Sequence, residues 1–177
     1  LETGKSMKDA KAETTGAYEM GMFVAGEGRR FYGRTTTSAV RNKNASTVRQ
    51  PIGVAGLIVP ANTPIANCAW KSFPALLCGN AAVLKSAEDA PKTALLFATA
   101  LHDAGVPKGV FNVVHGGPEA GAALVDHPDV GVVSFTGSFE VGAQVAQKAG
   151  ARLAKVCVEA GGKNPLVVCD DADLDAA

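Results

Sequence analysis

Neither sign of charge predominates in this 177-residue sequence, because 17 Lys and Arg residues balance 17 Asp and Glu residues. Nucleic-acid binding usually needs a basic surface, and a polybasic membrane anchor needs a run of like charges. We therefore expect no nucleic acid and no membrane among its partners. The charged fraction of 19% is also below the roughly 25% of typical soluble domains. This low fraction predicts that other protein covers part of the surface.

The sequence has few cysteines and no long apolar run. Its four cysteines show no C-x-x-C spacing, which favours a reducing compartment and predicts a cytoplasmic protein. No apolar stretch approaches the roughly 20 residues of a membrane-spanning helix. No histidine stands at metal-ligand spacing from another histidine or a cysteine, so we predict no metal. The cysteines lie inside predicted helices or strands and are expected to be buried: Cys68, Cys78, Cys157 and Cys169.

The first third of the chain divides into two segments of different composition. Residues 8–31 lack proline and predict a helix that is interrupted near Gly16 and Gly21. Residues 33–50 are polar and β-branched, which predicts a solvent-facing strand pair or an arm. We place the corresponding boundaries at residues 1–32 for a helical part and 33–51 for a β arm.

From residue 52 to residue 177 we predict a domain of its own, because short apolar runs alternate with longer amphipathic stretches. This alternation predicts a doubly wound parallel sheet of the α/β class. The predicted strands are 53–59, 81–85, 110–115, 130–135 and 154–158, with a sixth at 166–169. The predicted helices are 64–77, 91–104, 119–126 and 139–149.

Two polar groups follow the first two predicted strands of this sheet. Ligands bind beyond the carboxyl ends of such strands, so these residues are candidates for function. Asn62 is either the N-cap of the next helix or an amide donor for a developing oxyanion. Lys85 and Glu88 either bind the hydroxyl groups of a ribose or form a solvated pair.

Glycine-rich segments follow the other strands. Gly137 and Ser138 lead into a helix and could hold a pyrophosphate, although a plain turn also explains the glycine. Gly117 likewise either admits a ligand or serves a turn. Glu159 precedes Gly161 in a double-glycine turn, and we expect partial burial to suit it to general-base catalysis; the alternative is that it caps the turn.

Together these segments resemble the NAD(P)-dependent aldehyde dehydrogenase family. The resemblance covers nearly the whole chain, and its motifs occur in the family's order. These are Pro60-Ala61-Asn62, Lys85 with Glu88, Phe135 to Gly142, and Glu159-Ala160-Gly161-Gly162-Lys163. Ala61 replaces the family's usual Trp and Ala160 its usual Leu.

The resemblance implies a Rossmann-like NAD(P)-binding domain over residues 52–177 and two catalytic residues, Asn62 and Glu159. It implies NAD as the cofactor, with NADP as the alternative, because the Glu88 carboxylate would repel a 2′-phosphate. The implied cofactor-binding residues are Ile58, Val59, Pro60, Ala61, Asn62, Lys85, Ser86, Glu88, Gly117, Phe135, Gly137, Ser138, Val141, Ala160 and Gly161.

The implied reaction is the oxidation of an aldehyde to a carboxylic acid. In the family a cysteine thiolate attacks the aldehyde, hydride passes to the nicotinamide, and a glutamate activates water to hydrolyse the thioester. The family's cysteine follows the glutamate motif by a few dozen residues. We therefore expect it outside this chain, along with the catalytic domain, and expect the chain alone to be inactive.

The resemblance also identifies residues 33–51 as an oligomerisation arm, which implies a homodimer or homotetramer. Two alternatives stay open. One is a nucleotide-binding or assembly module with no chemistry of its own. The other is an acylating aldehyde dehydrogenase that passes the thioester to coenzyme A, although such relatives generally lack the glutamate corresponding to Glu159.

Overall fold

The computed structural model describes residues 2–173, so the outer ends of the first and third predicted segments lie outside the described residues. Its helices are α1 (Met7–Glu27), α2 (Pro64–Leu77), α3 (Pro91–Asp103), α4 (Pro118–Asp126) and α5 (Phe139–Ala151). Its strands are β1 (Arg34–Thr37), β2 (Asn44–Thr47), β3 (Val54–Ile58), β4 (Ala81–Lys85), β5 (Phe111–Val114), β6 (Val130–Gly137) and β7 (Lys155–Ala160).

A five-stranded sheet in the order β5-β4-β3-β6-β7 forms the centre of the fold. All neighbouring strands in it are parallel, as expected for strands joined by helical crossovers. One buried cluster joins β3 and β4 to α1, α2 and α3. A second joins β6 to α4 and α5. The predicted doubly wound α/β fold is confirmed.

Helix α1 is continuous, so the predicted interruptions near Gly16 and Gly21 are wrong. The helix begins after Ser6, whose hydroxyl accepts a hydrogen bond from the Asp9 N–H at 3.1 Å. A Cβ at Gly21 would lie 3.0 Å from Cε2 of Phe73 on α2. Gly21 therefore serves the close packing of two helices rather than a break in one.

Strands β1 and β2 form the predicted strand pair. They are antiparallel, with Arg34 opposite Thr47, and of their eight residues only Ala45 is even partly buried. The pair is separate from the five-stranded sheet.

The sixth predicted strand, 166–169, is wrong. These residues follow the edge strand β7 but pair with no strand within residues 2–173, and the side chains of Leu166 and Val167 are 83% and 79% exposed. An apolar run becomes a strand only where a neighbour accepts its backbone hydrogen bonds, and this run has no such neighbour in the described part of the chain.

The prediction that all four cysteines are buried is also wrong. Cys68 is buried inside α2, but Cys78 caps the end of that helix and is only half-buried. Cys157 and Cys169 are exposed, because one lies on the edge strand and the other follows it.

Across residues 2–173, the structure contains no helix with both the length and the apolar character needed to cross a bilayer.

Candidate functional site

The carboxyl edge of the sheet brings the predicted site residues into one row. Ile58 on β3 stands opposite Lys85 on one side and Phe135 on the other, and Phe135 stands opposite Val158. The chain leaves β3 toward β4 in one direction, whereas β6 lies in the other. The row therefore crosses the topological switch point, where doubly wound sheets bind ligands.

A cleft of about 350 Å³ opens between this row and helices α4 and α5. We call it the α4–α5 cleft. Five residues that the resemblance implicates in cofactor binding line it: Ile58, Lys85, Glu88, Phe135 and Val141. Sequence reasoning missed the helical residues on its other wall, including Pro118, Val125, Gln144 and Val145. The only sequence signal for these helical residues is the apolar face of each helix. An apolar face also fits ordinary core packing.

Lys85 and Glu88 hold different positions in the α4–α5 cleft. Lys85 is buried, with 9% of its surface exposed, while Glu88 is exposed. A Cβ at Gly117 would lie only 3.0 Å from Glu88 Oε1, so this glycine makes room for the carboxylate. Within residues 2–173 the two charges form no ion pair, which argues against the solvated-pair alternative.

A second cleft, of about 600 Å³, lies between the loop after β3 and the end of β7. We call it the β7 cleft. It brings Asn62 and Glu159 together with Gly137 and Ser138. Pro60, Ala160 and Gly161 from the predicted set also line it, as do Thr136 and Gly162.

Asn62 is not the N-cap of α2, so that alternative is wrong. The N-cap is Thr63, and the Asn62 side chain instead accepts a hydrogen bond through Oδ1 from the Thr63 N–H at 2.9 Å. This bond leaves the side-chain NH₂ group of Asn62 available to donate to a ligand in the β7 cleft.

Glu159 is exposed, so the expected partial burial is not found. It lies on the edge strand β7, and none of the described residues covers it. The turn-capping alternative is not found either, because within residues 2–173 the Glu159 carboxylate accepts no hydrogen bond from the Gly161 or Gly162 backbone.

Lys71 on α2 is a residue that sequence reasoning missed. Its Nζ donates a hydrogen bond to Ser134 Oγ on β6 at 2.9 Å. Burial lowers the pKa of Lys71, and the nearby Cys157 and Glu159 act in the opposite direction. Its only sequence signal was a lysine inside an apolar helix.

The start of α5 faces the β7 cleft. Ser138 is the N-cap of this helix, and its hydroxyl accepts a hydrogen bond from the Val141 N–H at 3.4 Å. The positive end of the helix dipole and its free N–H groups therefore favour an anion there. A Cβ at Gly142 would lie 2.9 Å from Val158 Cγ1, so the second glycine lets α5 approach the sheet.

Four members of the predicted set line neither cleft, and Gly117, which lies beside Glu88, is one of them. Val59 is buried in the core, and Ala61 is partly buried. Ser86 is buried, and its hydroxyl forms a hydrogen bond with His115 Nδ1 at 2.8 Å. Over the described range 2–173, no three His, Cys, Asp or Glu side chains gather in a way that could hold a metal ion.

Comparison with known proteins decides the family. The model of the aldehyde dehydrogenase family matches residues 1–177. The chain belongs to the aldehyde dehydrogenase family. Retinaldehyde dehydrogenase 3 of Mus musculus is 44% identical to this aldehyde dehydrogenase chain, and the match covers 100% of the chain. The mitochondrial benzaldehyde dehydrogenase of Antirrhinum majus is 51% identical over 76% of the chain.

Solved structures agree with the fold. A betaine aldehyde dehydrogenase of Staphylococcus aureus in complex with NAD⁺ superposes with a TM-score of 0.91 at 32% identity, over 99% of this chain. An E. coli NADP-dependent enzyme reaches the same TM-score at 43% identity and 99% coverage. The chain spans 35% of the first of these structures and 37% of the second. It likewise spans 35% of the Mus musculus relative and 26% of the Antirrhinum majus relative.

Proposed function

We propose that this chain forms the cofactor-binding side of an active site that oxidises an aldehyde to a carboxylic acid. One observation carries the proposal. An amide donor, Asn62, and a carboxylate, Glu159, line the same cleft as the amino-terminal end of α5. These groups suit oxyanion stabilisation, water activation and phosphate binding in that order.

Each residue has a distinct task in this proposal. The Asn62 NH₂ group donates to the oxygen of the substrate carbonyl as negative charge develops on it. Glu159 accepts a proton from the water that hydrolyses the acyl intermediate. The exposure of Glu159 leaves it open to that water. The bound cofactor supplies the hydride acceptor.

The two clefts fit a dinucleotide. Lys85 and Glu88 line the apolar α4–α5 cleft and present a cation and a carboxylate to ribose hydroxyl groups. Gly117 leaves space beside Glu88. The amino-terminal end of α5 lies at the β7 cleft, where Ser138 and the helix N–H groups would hold a pyrophosphate.

Side chains, rather than the backbone, decide between NAD and NADP. The backbone matches an NAD⁺ complex and an NADP-dependent enzyme equally well, whereas the Glu88 carboxylate repels a 2′-phosphate. We expect titration of the chain to give tighter binding of NAD than of NADP. Glu88→Gln should narrow that preference by about fivefold, because it removes a repulsion on the order of 1 kcal/mol. Tighter binding of NADP by the unchanged chain would contradict the assignment.

The chain by itself is proposed to bind the cofactor without oxidising aldehydes. No cysteine lines the β7 cleft within residues 2–173, so the described residues offer no thiol nucleophile there. For the isolated chain, the proposal is therefore the alternative of a nucleotide-binding module with no chemistry of its own. Aldehyde-dependent formation of NADH by the purified chain would disprove it.

The decisive experiment uses the intact protein that contains this chain. Asn62→Ala should lower kcat by about 100-fold or more, as expected for the loss of an oxyanion donor. Glu159→Gln should slow hydrolysis and leave NAD binding unchanged. Glu19→Gln, at an exposed position of α1 that lines neither cleft, is the matched control. Full rates in both variants would overturn the proposal, and acyl-coenzyme A as the product would favour the acylating alternative.

We also propose that the β1–β2 hairpin mediates contacts between subunits of a homodimer or homotetramer. The hairpin is almost fully exposed and separate from the main sheet, and an isolated two-stranded pair is at best marginally stable in water.

A further inference from the structure

We infer that Lys5 and Glu13 are positioning residues that hold the Asn62 amide from outside its own loop. The inference rests on the role proposed above for Asn62. Both residues belong to the amino-terminal segment, at least 49 positions before Asn62 in the sequence.

Glu13 supplies the cap that the start of α2 lacks. The N-cap residue Thr63 provides no side-chain cap, and Pro64 has no N–H group. The next two N–H groups, of Ile65 and Ala66, both donate to Glu13 Oε1, at 2.9 and 3.1 Å. Glu13 therefore accepts from both of the free donors in the first turn of α2.

Lys5 joins this cap to Asn62. Its ammonium group forms an ion pair with Glu13 Oε2 and donates a second hydrogen bond to the Asn62 carbonyl oxygen at 2.6 Å. The Glu13 side chain is only 8% exposed and that of Lys5 19%, so water screens the pair weakly. The Asn62 peptide is thus held between the lysine and the helix that follows it.

The side chain of Asn62 is oriented at the same time. Its Oδ1 accepts from the Thr63 N–H, and Thr63 is the N-cap of the helix that Glu13 caps. Both the backbone carbonyl and the amide oxygen of Asn62 are therefore tied to the clamp formed by Lys5, Glu13 and the start of α2. These bonds restrict the rotamers of the Asn62 side chain and leave its NH₂ group free to donate in the β7 cleft, which Asn62 lines.

A change in this clamp should affect rate more than cofactor affinity. A misplacement of about 1 Å in a catalytic group can cost about 100-fold in rate. The α4–α5 cleft lies on the opposite face of the sheet from α1 and α2. We therefore expect Lys5→Met and Glu13→Gln to lower kcat about tenfold, with a much smaller change in the Kd for NAD.

A double-mutant cycle in the intact protein separates positioning from plain stabilisation. If Lys5 acts through Asn62, Lys5→Met lowers kcat in the unchanged protein but not in the Asn62→Ala background. Lys5→Arg, which keeps a cation and donors, should retain most of the rate. Lys8→Met is the matched control, since Lys8 is exposed on the same segment.

The outcomes distinguish the inference from the proposed function. Loss of rate in Asn62→Ala with none in Lys5→Met, or the same loss from Lys5→Met in both backgrounds, would overturn the inference alone. A full rate in Asn62→Ala would overturn the proposed function, and the inference with it.

Hydrogen exchange provides a readout that needs no turnover. Glu13→Ala should speed exchange at the Ile65 and Ala66 amides. Glu2→Ala is the matched control, because the Glu2 carboxylate accepts from the Lys92 and Thr93 amides of α3 instead. Unchanged exchange at Ile65 and Ala66 in Glu13→Ala would show that the clamp does not form.

Discussion

At the scale of single residues, chemistry could be predicted from the sequence but surroundings could not. Asn62, Lys85 and Glu159 were found because each follows an apolar run, and the carboxyl ends of parallel strands share one edge. The exposure of Glu159 and the contact between Lys71 and Ser134 depend on which strand lies at the edge and which helix covers it. No local pattern carries that information.

Gly137 offers a test of the α4–α5 cleft at this scale. A Cβ there would lie 2.5 Å from Cζ of the buried Phe135 ring, so Gly137→Ala must displace a wall of the cleft. Overpacking of this kind costs about 1–3 kcal/mol. We expect NAD binding to weaken about tenfold in a calorimetric titration.

Gly150→Ala is the control for Gly137→Ala. No atom lies within 4 Å of the added Cβ at Gly150, and alanine favours the helix by about 1 kcal/mol. This variant should bind NAD as the unchanged chain does. Equal affinities for both variants would show that the Phe135 ring does not shape the cofactor site.

The cysteines provide a second test at the residue scale. Burial, together with the nearby Glu13 carboxylate, raises the pKa of Cys68 to about 12, so almost none of this thiol is ionised at pH 8. Cys157 and Cys169 are exposed. Iodoacetamide should label these two in the folded chain and spare Cys68, as measured by peptide mass spectrometry. Denaturant should expose Cys68 to the reagent, and equal labelling without denaturant would contradict its burial.

At the scale of elements, the periodicity of apolar residues predicted the helices and sheet strands well. It did not predict the helix caps that are supplied by residues distant in sequence. The five sheet strands were predicted correctly because buried parallel strands are continuous apolar runs. The first turns of α2 and α3, each opened by a proline, receive their caps from Glu13 and Glu2. Carboxylates this distant in sequence give no local capping signature. Gly21 wrongly suggested a break in α1 for a related reason. Its packing partner, Phe73, is remote in sequence, so no local pattern shows that this glycine serves helix packing.

The Glu2 cap should show itself in the pH dependence of stability. Burial acts against ionisation, but hydrogen bonds from the Thr93 hydroxyl and the Lys92 and Thr93 amides lower the pKa of Glu2 below 4.5. Its contribution is therefore complete at pH values well above 4.5 and is lost as the pH falls through the lowered value. Glu2→Ala should reduce the free energy of unfolding by about 1 kcal/mol at pH 7, as typical for a lost cap.

Urea unfolding at several pH values measures this difference. The gap between Glu2→Ala and the unchanged chain should close in acid. Glu19→Ala, at an exposed position of α1, should change stability little at any pH. A gap that persists undiminished at pH 2 would rule out a charged cap.

The low charged fraction of the sequence predicts surface that other protein covers. At the scale of the whole molecule, two exposed strand surfaces are candidates for it, the edge strand β7 and the β1–β2 hairpin. Four of the six residues of β7 are uncharged, and four of the six are exposed. The β1–β2 hairpin extends from the opposite, amino-terminal edge of the sheet. It is joined there near Ile52 and Gly53, whose N–H groups donate to Asn80 Oδ1. Cofactor clefts and hairpin therefore occupy opposite ends of the fold.

This separation allows the hairpin to be removed without disturbing the site. Arg34 and Thr47 are paired, so the chain ends left by excision of residues 34–47 are adjacent and a short Gly-Ser link can join them. If the hairpin mediates subunit contacts, the shortened intact protein should have a lower mass in solution by light scattering. Its affinity for NAD should not change, because both clefts lie at the carboxyl edge. An unchanged oligomer would place the subunit contacts on another surface, whereas a loss of NAD binding would mean that the hairpin supports the fold itself.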